Sequence, residues 1–367
     1  MHLDHPVINH IAFNTKHKEN IEIVLITTNP DSKFSNKADR VISIGNYFYF
    51  LKAVNHYLVS NGLHNALFIK DRTGKFETYK KELLKCDFDK LLQMAGTDAE
   101  TVASFAVEFN DEMNGILVFQ EKEFSANASM AAHNLAMITG KLGKTASGLI
   151  ALKERNNSHG VIDMGVCHKI GVGAESILDD DLQYRMAFKW GVAELPFAIN
   201  SVYQLFISGK LKNAFIFGED PVGCAIDQVQ MKQLVKGFDF LMVQDLFMTE
   251  TAKMADLVLP ASFAWEMGGS FTNSQRKIQL VSQQLQGPVA QNSFLQLTKI
   301  HKLMNLNGIE TPAEALDEAV SLLPKRGEYK DLHFVYKEKD NFNLQFHHGC
   351  DVLLKKINDE FAEKLNW

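Results

Sequence analysis

The residues of this chain best suited to chemistry are carboxylates and amides placed just after short apolar runs. Ala214-Phe215-Ile216-Phe217 leads into Gly218-Glu219-Asp220-Pro221, and Phe240-Leu241-Met242-Val243 leads into Gln244-Asp245. A third run, Asp256-Leu257-Val258-Leu259-Pro260, ends in Ala261-Ser262. Runs of this length that stop at Gly, Pro or polar residues predict strands buried on both faces. Segments able to hold a helix, 227–236 and 249–254, lie between them. The alternation predicts a doubly wound parallel sheet, whose ligands lie beyond the carboxyl ends of the strands. Glu219, Asp220 and Asp245 would then share one crevice.

Thiol and imidazole chemistry has less support. None of Cys86, Cys167, Cys224 and Cys350 lies in a C-x-x-C, and their spacing suits neither a zinc site nor an iron–sulfur cluster. Isolated, reduced thiols are expected. Cys167-His168 is a bare neighbour pair, and His347-His348 with Cys350 is half of a site. No metal ligand is assigned.

The elements that must position the carboxylates can be followed along the chain. Strands are predicted at 21–27, 40–44 and 115–120, and helices at 50–61, 125–137, 179–190, 200–208 and 293–305. Gly62 suits the left-handed residue that closes a helix. Thr97 with Glu100 has the spacing of a capping box, and Val102, Phe105, Ala106 and Phe109 fall on one face of the helix that would follow. Tyr47 and Phe48 are two bulky aromatics just after the second strand. Two amphipathic helices, 311–323 and 351–365, are expected near the C-terminus, the first burying Ala315, Leu316, Ala319 and Leu322.

A length of 367 residues suggests two domains, and 46% hydrophobic residues allow a large core. A formal charge of −6 gives no basic footprint for nucleic acid. No run of 18 apolar residues marks a transmembrane span, and no signal peptide is evident. A cytoplasmic location follows as an expectation, with a peripheral seat at the inner membrane left open.

Three motifs in order carry a family resemblance: Gly218-Glu219-Asp220-Pro221; Val243-Gln244-Asp245-Leu246-Phe247-Met248-Thr249-Glu250-Thr251-Ala252 running on to Pro260; and Gly269-Ser270-Phe271-Thr272-Asn273-Ser274-Gln275-Arg276. With Asn134-Leu135-Ala136-Met137-Ile138-Thr139-Gly140 upstream, they resemble the molybdopterin oxidoreductases. The formate dehydrogenase alpha subunit and the G subunit of NADH-quinone oxidoreductase are the two candidates within that family. The resemblance covers about residues 5 to 308 and implies two Rossmann-like α/β domains, at 1–155 and 156–308, followed by a helical extension at 309–367. It also implies that Gly218, Glu219, Asp220, Pro221, Gln244, Asp245, Thr249, Thr272, Asn273 and Arg276 face one half of a molybdopterin guanine dinucleotide.

The same resemblance sets a substrate clamp beside this cofactor. The family form Leu-Arg-Gly-Gln-Asn-Asn-x-Gln-Gly-x-x-Asp-Met-Gly stands here as Leu152-Lys153-Glu154-Arg155-Asn156-Asn157-Ser158-His159-Gly160-Val161-Ile162-Asp163-Met164-Gly165. The family's arginine holds the formate anion. Lys153 keeps its charge but lacks the planar fork, Glu154 adds a carboxylate, and Arg155 reaches the position only by a one-residue slip that misplaces Asn156-Asn157. Segments at 27–29 and 44–47 also depart from the family's cofactor loops, and neither the family's cysteine-rich cluster domain nor its C-terminal barrel is matched. The resemblance therefore implies a subunit of an electron-transfer complex, working beside iron–sulfur or flavin subunits as a scaffold with a degraded site. One piece of a split formate dehydrogenase, and a truncated gene, stay as alternatives.

Overall fold

The computed structural model describes residues 5–19, 21–143, 146–153, 155–166, 170–195, 202–274, 278–288, 291–304, 309–322 and 344–345. Two compact units divide the chain: residues 1–154 with 338–367, and residues 155–337.

In the first unit α1 (Pro6–Glu19) leads to β1 (Val24–Thr27) and β2 (Arg40–Ser43), which pair in parallel with Ile26 opposite Ile42. Then come α2 (Tyr47–Ser60), α3 (Ala66–Arg72), β3 (Thr73–Gly74), α4 (Phe76–Leu83), α5 (Phe88–Ala95) and α6 (Ala99–Asp111). Last come β4 (Ile116–Gln120), α7 (Ala126–Ile138) and β5 (Gly148–Leu152), with β4 and β5 parallel from Ile116 opposite Gly148 to Gln120 opposite Leu152. The core gathers on α2 and α7. Phe50, Val54 and Leu58 from one helix, and Leu135, Met137 and Ile138 from the other, are wholly buried, each contributing roughly 1.5–3 kcal/mol by removal from water. Ala53 and Ala132 keep the facing surfaces shallow enough for close packing.

Several local expectations change. Tyr47 and Phe48 form the first turn of α2, because the Asn46 side chain accepts hydrogen bonds from the Phe48 and Tyr49 amides. Phe48 enters the core, and the Tyr47 ring rests 5.0 Å from that of Phe124. The cap of α6 is Asp98 rather than Thr97: its carboxylate accepts from the Thr101 amide at 2.7 Å. An ionised side chain outcompetes a hydroxyl at the positive end of a helix. The segment 76–83, too charged to read as regular from sequence, is the helix α4.

The second unit contains α8 (Ser158–Asp163), α9 (Asp180–Trp190), α10 (Val202–Ile207), β6 (Asn213–Phe217), α11 (Gln228–Val235), β7 (Phe240–Asp245) and β8 (Leu257–Pro260). After these come α12 (Ala264–Met267), β9 (Gly269–Thr272), β10 (Ile278–Val281), α13 (Ser293–Leu303) and α14 (Pro312–Ser321). A two-residue strand, β11 (Leu344–Gln345), belongs to the first unit and pairs there in parallel with β3. Strands β6, β7 and β8 form a parallel sheet in that order. Burial on both faces holds for β7 alone, where Leu241, Met242 and Val243 are 2% exposed or less. On the edge strand β6, Phe215 and Phe217 stay nearly half exposed. The apolar interior of this unit is split in two: one cluster around Val222, Leu241 and Val243, another around Leu182, Met186, Ile278 and Leu316. The latter includes Leu316, Ala319 and Leu322 of the expected face of the C-terminal helix, while Ala315 is half-buried and outside the cluster. The N-terminus of α14 carries a capping box from Thr311 and Glu314.

The fold is thus mixed α/β, with three two-stranded parallel sheets, one three-stranded parallel sheet, and one antiparallel pair of β9 and β10, among the described residues. The expected helix at 351–365, together with Cys167-His168 and the histidines near Cys350, lies outside the described residues.

Candidate functional site

The carboxyl ends of β6 and β7 bring most of the sequence-derived site residues to one edge. Gly218 turns the chain out of β6 with φ of +65°, and its amide donates to the Gln244 carbonyl at 2.8 Å, adding one rung to the sheet. Nothing lies within 4 Å of the place a Cβ on Gly218 would take, so its outer face opens on space. Glu219 is exposed beside it. Asp245 ends β7, with one carboxylate oxygen accepting from the Phe247 amide at 3.2 Å.

Asp220 builds the site rather than facing out of it. One carboxylate oxygen accepts from the Gly223 amide at 3.0 Å, the Thr251 amide at 2.9 Å and the Thr251 hydroxyl at 2.6 Å. The other accepts from the Glu250 amide at 3.4 Å. Burial pushes this carboxyl group up, but the Thr251 hydroxyl and the three amides outweigh it and hold the group below the usual carboxylate value. The loop after β6 is therefore clasped to the loop after β7. Thr251 also accepts from the Val222 amide at 3.0 Å. Thr249 caps the short turn beyond, its hydroxyl accepting from the Ala252 amide at 3.2 Å. Gln244 is buried, with its amide group donating to the Gln296 side chain at 2.8 Å, and Gln296 in turn donates to the Pro260 carbonyl at 2.9 Å.

A second group forms around Asn157. This residue has φ of +64°, and its side chain accepts from the Thr272 amide at 2.9 Å, so the start of α8 is tied to the end of β9. A Cβ on Gly160 would stand 2.1 Å from that side-chain oxygen, and one on Gly165 would stand 2.9 Å from the backbone of Gly171 and Val172. The glycines of the motif are explained by these close approaches. Thr272 is buried and Asn273 half-buried, while Arg276 lies outside the described residues.

The clamp segment is divided. Lys153 follows β5 in the first unit, and Arg155 begins the second. The Lys153 ammonium lies 2.7 Å from the carboxylate of Glu121, which follows β4. Arg155 has an exposed side chain and offers its carbonyl to the Ser158 hydroxyl at 2.8 Å. Glu121, Thr251 and Gln296 were missed as contributors to these sites. Thr251 lay within a recognised motif, whereas Glu121 and Gln296 gave no local signal because their partners lie 32 and 52 residues away.

Pterin and guanine edges present N–H donors, which the exposed carboxylate of Glu219 and the half-buried one of Asp245, at the ends of two paired strands, could accept. Among the described residues no group of three or more His, Cys, Asp or Glu side chains is arranged to hold a metal. No described helix is long and apolar enough to cross a membrane.

A parallel sheet with motif-bearing loops at its carboxyl edge is an architecture whose ligands lie beyond the strand ends, and sequence comparison assigns the family. The profile of the Molybdopterin oxidoreductase family matches residues 1–293, and the chain belongs to that family. It is 29% identical over 292 residues to the F420-dependent formate dehydrogenase 2 subunit alpha of Methanococcus maripaludis, covering 77% of this chain and 43% of the relative. It is 27% identical over 335 residues to a probable oxidoreductase of Bacillus subtilis, covering 87% of this chain and 34% of the relative. The chain thus spans less than half the length of these curated relatives. Acetylene hydratase from Pelobacter acetylenicus shares the fold, with a TM-score of 0.57 at 16% identity over 84% of this chain and 46% of that one.

Proposed function

We propose that this chain is a scaffold subunit of a redox complex, keeping the cofactor-cradling α/β architecture of its family but not the substrate clamp. Its two units correspond in this proposal to doubly wound, Rossmann-like domains, with a helical extension after residue 308. Gly218, Glu219, Pro221, Gln244, Asp245 and Thr249 form the cradle edge for the nucleotide half of a pterin dinucleotide, with Asp220 holding its two loops together. Thr272, Asn273 and Arg276 extend it. When bound, that group supplies two-electron redox chemistry through its metal. The scaffold role keeps these acceptors as architecture and does not require the group to be bound.

The observation that carries the proposal is the pairing of Lys153 with Glu121. A clamp for a small carboxylate needs an uncompensated cation, best as a bidentate guanidinium. Here the cation at the clamp position already has a carboxylate of its own chain. The fold-holding part of the same motif, Asn157, Gly160 and Gly165, supports retention of the architecture. Electron-transfer partners carrying iron–sulfur or flavin groups follow from this role, and relatives named as alpha subunits support it.

The test is elemental analysis of the complex isolated through this chain, with formate-dependent dye reduction measured alongside. Expected is far less than one molybdenum or tungsten per copy and no formate oxidation. One metal per copy with formate-dependent turnover would overturn the scaffold role in favour of one piece of a split enzyme.

A further inference from the structure

We infer that Glu121 determines the specificity of the β4–β5 strand end, by filling the anion position at Lys153 and excluding small carboxylate anions such as formate. The inference rests on the reading of Lys153 as the clamp position, and adds to it the residue that closes that position.

The placement follows from the sheet. Gln120 and Leu152 are register partners at the last rung of the parallel pair, and the Glu121 amide donates to the Leu152 carbonyl at 3.0 Å, extending the pairing by one residue. Glu121 and Lys153 therefore leave neighbouring strands at the same level. Their side chains meet at 2.7 Å, with Lys153 21% and Glu121 50% exposed. The cation is the more sheltered partner, and the carboxylate stands on its solvent side.

Competition then favours the internal carboxylate. A carboxylate held in place on the neighbouring strand acts at an effective concentration of about millimolar or more, whatever the concentration of free anion. A free formate must displace Glu121 and then sit beside the displaced negative charge, which repels it. Both effects vanish when the side chain becomes neutral. The Glu121→Gln change keeps length and hydrogen-bonding capacity while removing the charge, so it isolates this effect.

The experiment is titration of the purified full-length chain with ¹³C-formate, followed by NMR line broadening, for the unaltered chain, E121Q, K153M and E121Q/K153M. Expected is about tenfold tighter formate binding in E121Q, falling back to the unaltered level in the double variant. Equal binding in E121Q and the unaltered chain, with matching circular dichroism, would overturn the inference. A gain that survives loss of Lys153 would overturn it too, because the anion would then be answering net charge and not this cation. If E121Q does not fold, E121A asks the same question without the amide. Metal content of the complex plays no part in these readouts, so this inference and the scaffold role fail separately.

Discussion

After β6, the Asp220 carboxylate accepts four hydrogen bonds from Gly223, Glu250 and Thr251; after β4, the Glu121 carboxylate meets the ammonium of Lys153. Both acids stand at the carboxyl edge of a parallel sheet. The first is spent on backbone and hydroxyl donors, so it fixes the shape of two loops. The second is spent on a charged side chain, so it fixes no backbone but removes a cation from use. An acid at a strand end can thus fix loops or pair with a cation, and its partner decides which.

Breaking the first arrangement has the largest expected effect. Asp220→Ala leaves three amides and a hydroxyl without their acceptor and should cost about 2–4 kcal/mol in urea unfolding, with new proteolytic cleavage in the loops after β6 and β7. Unchanged stability and an unchanged digestion pattern would refute the clasp. Gly223→Ala should come next. Its Cβ would lie 1.9 Å from the Asp220 carboxylate, so a loss of about 2 kcal/mol is expected in the unaltered chain. That loss should largely disappear in an Asp220→Ala background, because the clashing group is gone. Additive losses in the double-mutant cycle would show that the two residues do not communicate.

Acid should act on the same contact. The Asp220 carboxyl group is held below its ordinary value, so its contribution is complete above the unfolded-state value of about 4 and fades as pH falls through the lower folded-state value. Limited proteolysis between pH 5 and pH 2.5 should find the loop after β6 opening in the unaltered chain, with a smaller pH response in Asp220→Asn. The smallest change belongs to the other strand end. Glu121→Gln should alter stability by less than about 1 kcal/mol, since a partly exposed ion pair contributes little. A loss above about 2 kcal/mol would mean that Glu121 holds structure as Asp220 does.

Much of this was legible where the signal was local. Asp227, Asp179 and Ser125, the first residues of three helices expected from sequence, stand as the caps of α11, α9 and α7. The apolar runs of β6, β7 and β8 were readable as strands, but their depth was not. A run of Ala-Phe-Ile-Phe looks the same at the edge of a sheet as in its middle, and only the neighbouring strands decide. The site divided in the same way. The strand-end position of Asp220 and Asp245 followed from pattern. That Asp220 points back into the loops depended on Thr251, 31 residues away, and no local periodicity reports such a contact. Lys153 was visible as a departure from the family form, and its pairing with Glu121 was not, because Glu121 lies on another strand.

The buried amide relay from Gln244 through Gln296 to Pro260 links two strand ends to a single helix, α13. A side-chain amide that donates to a main-chain carbonyl while accepting from another amide has little freedom to slide. Displacing α13 from outside should therefore be felt at β7 and β8 together.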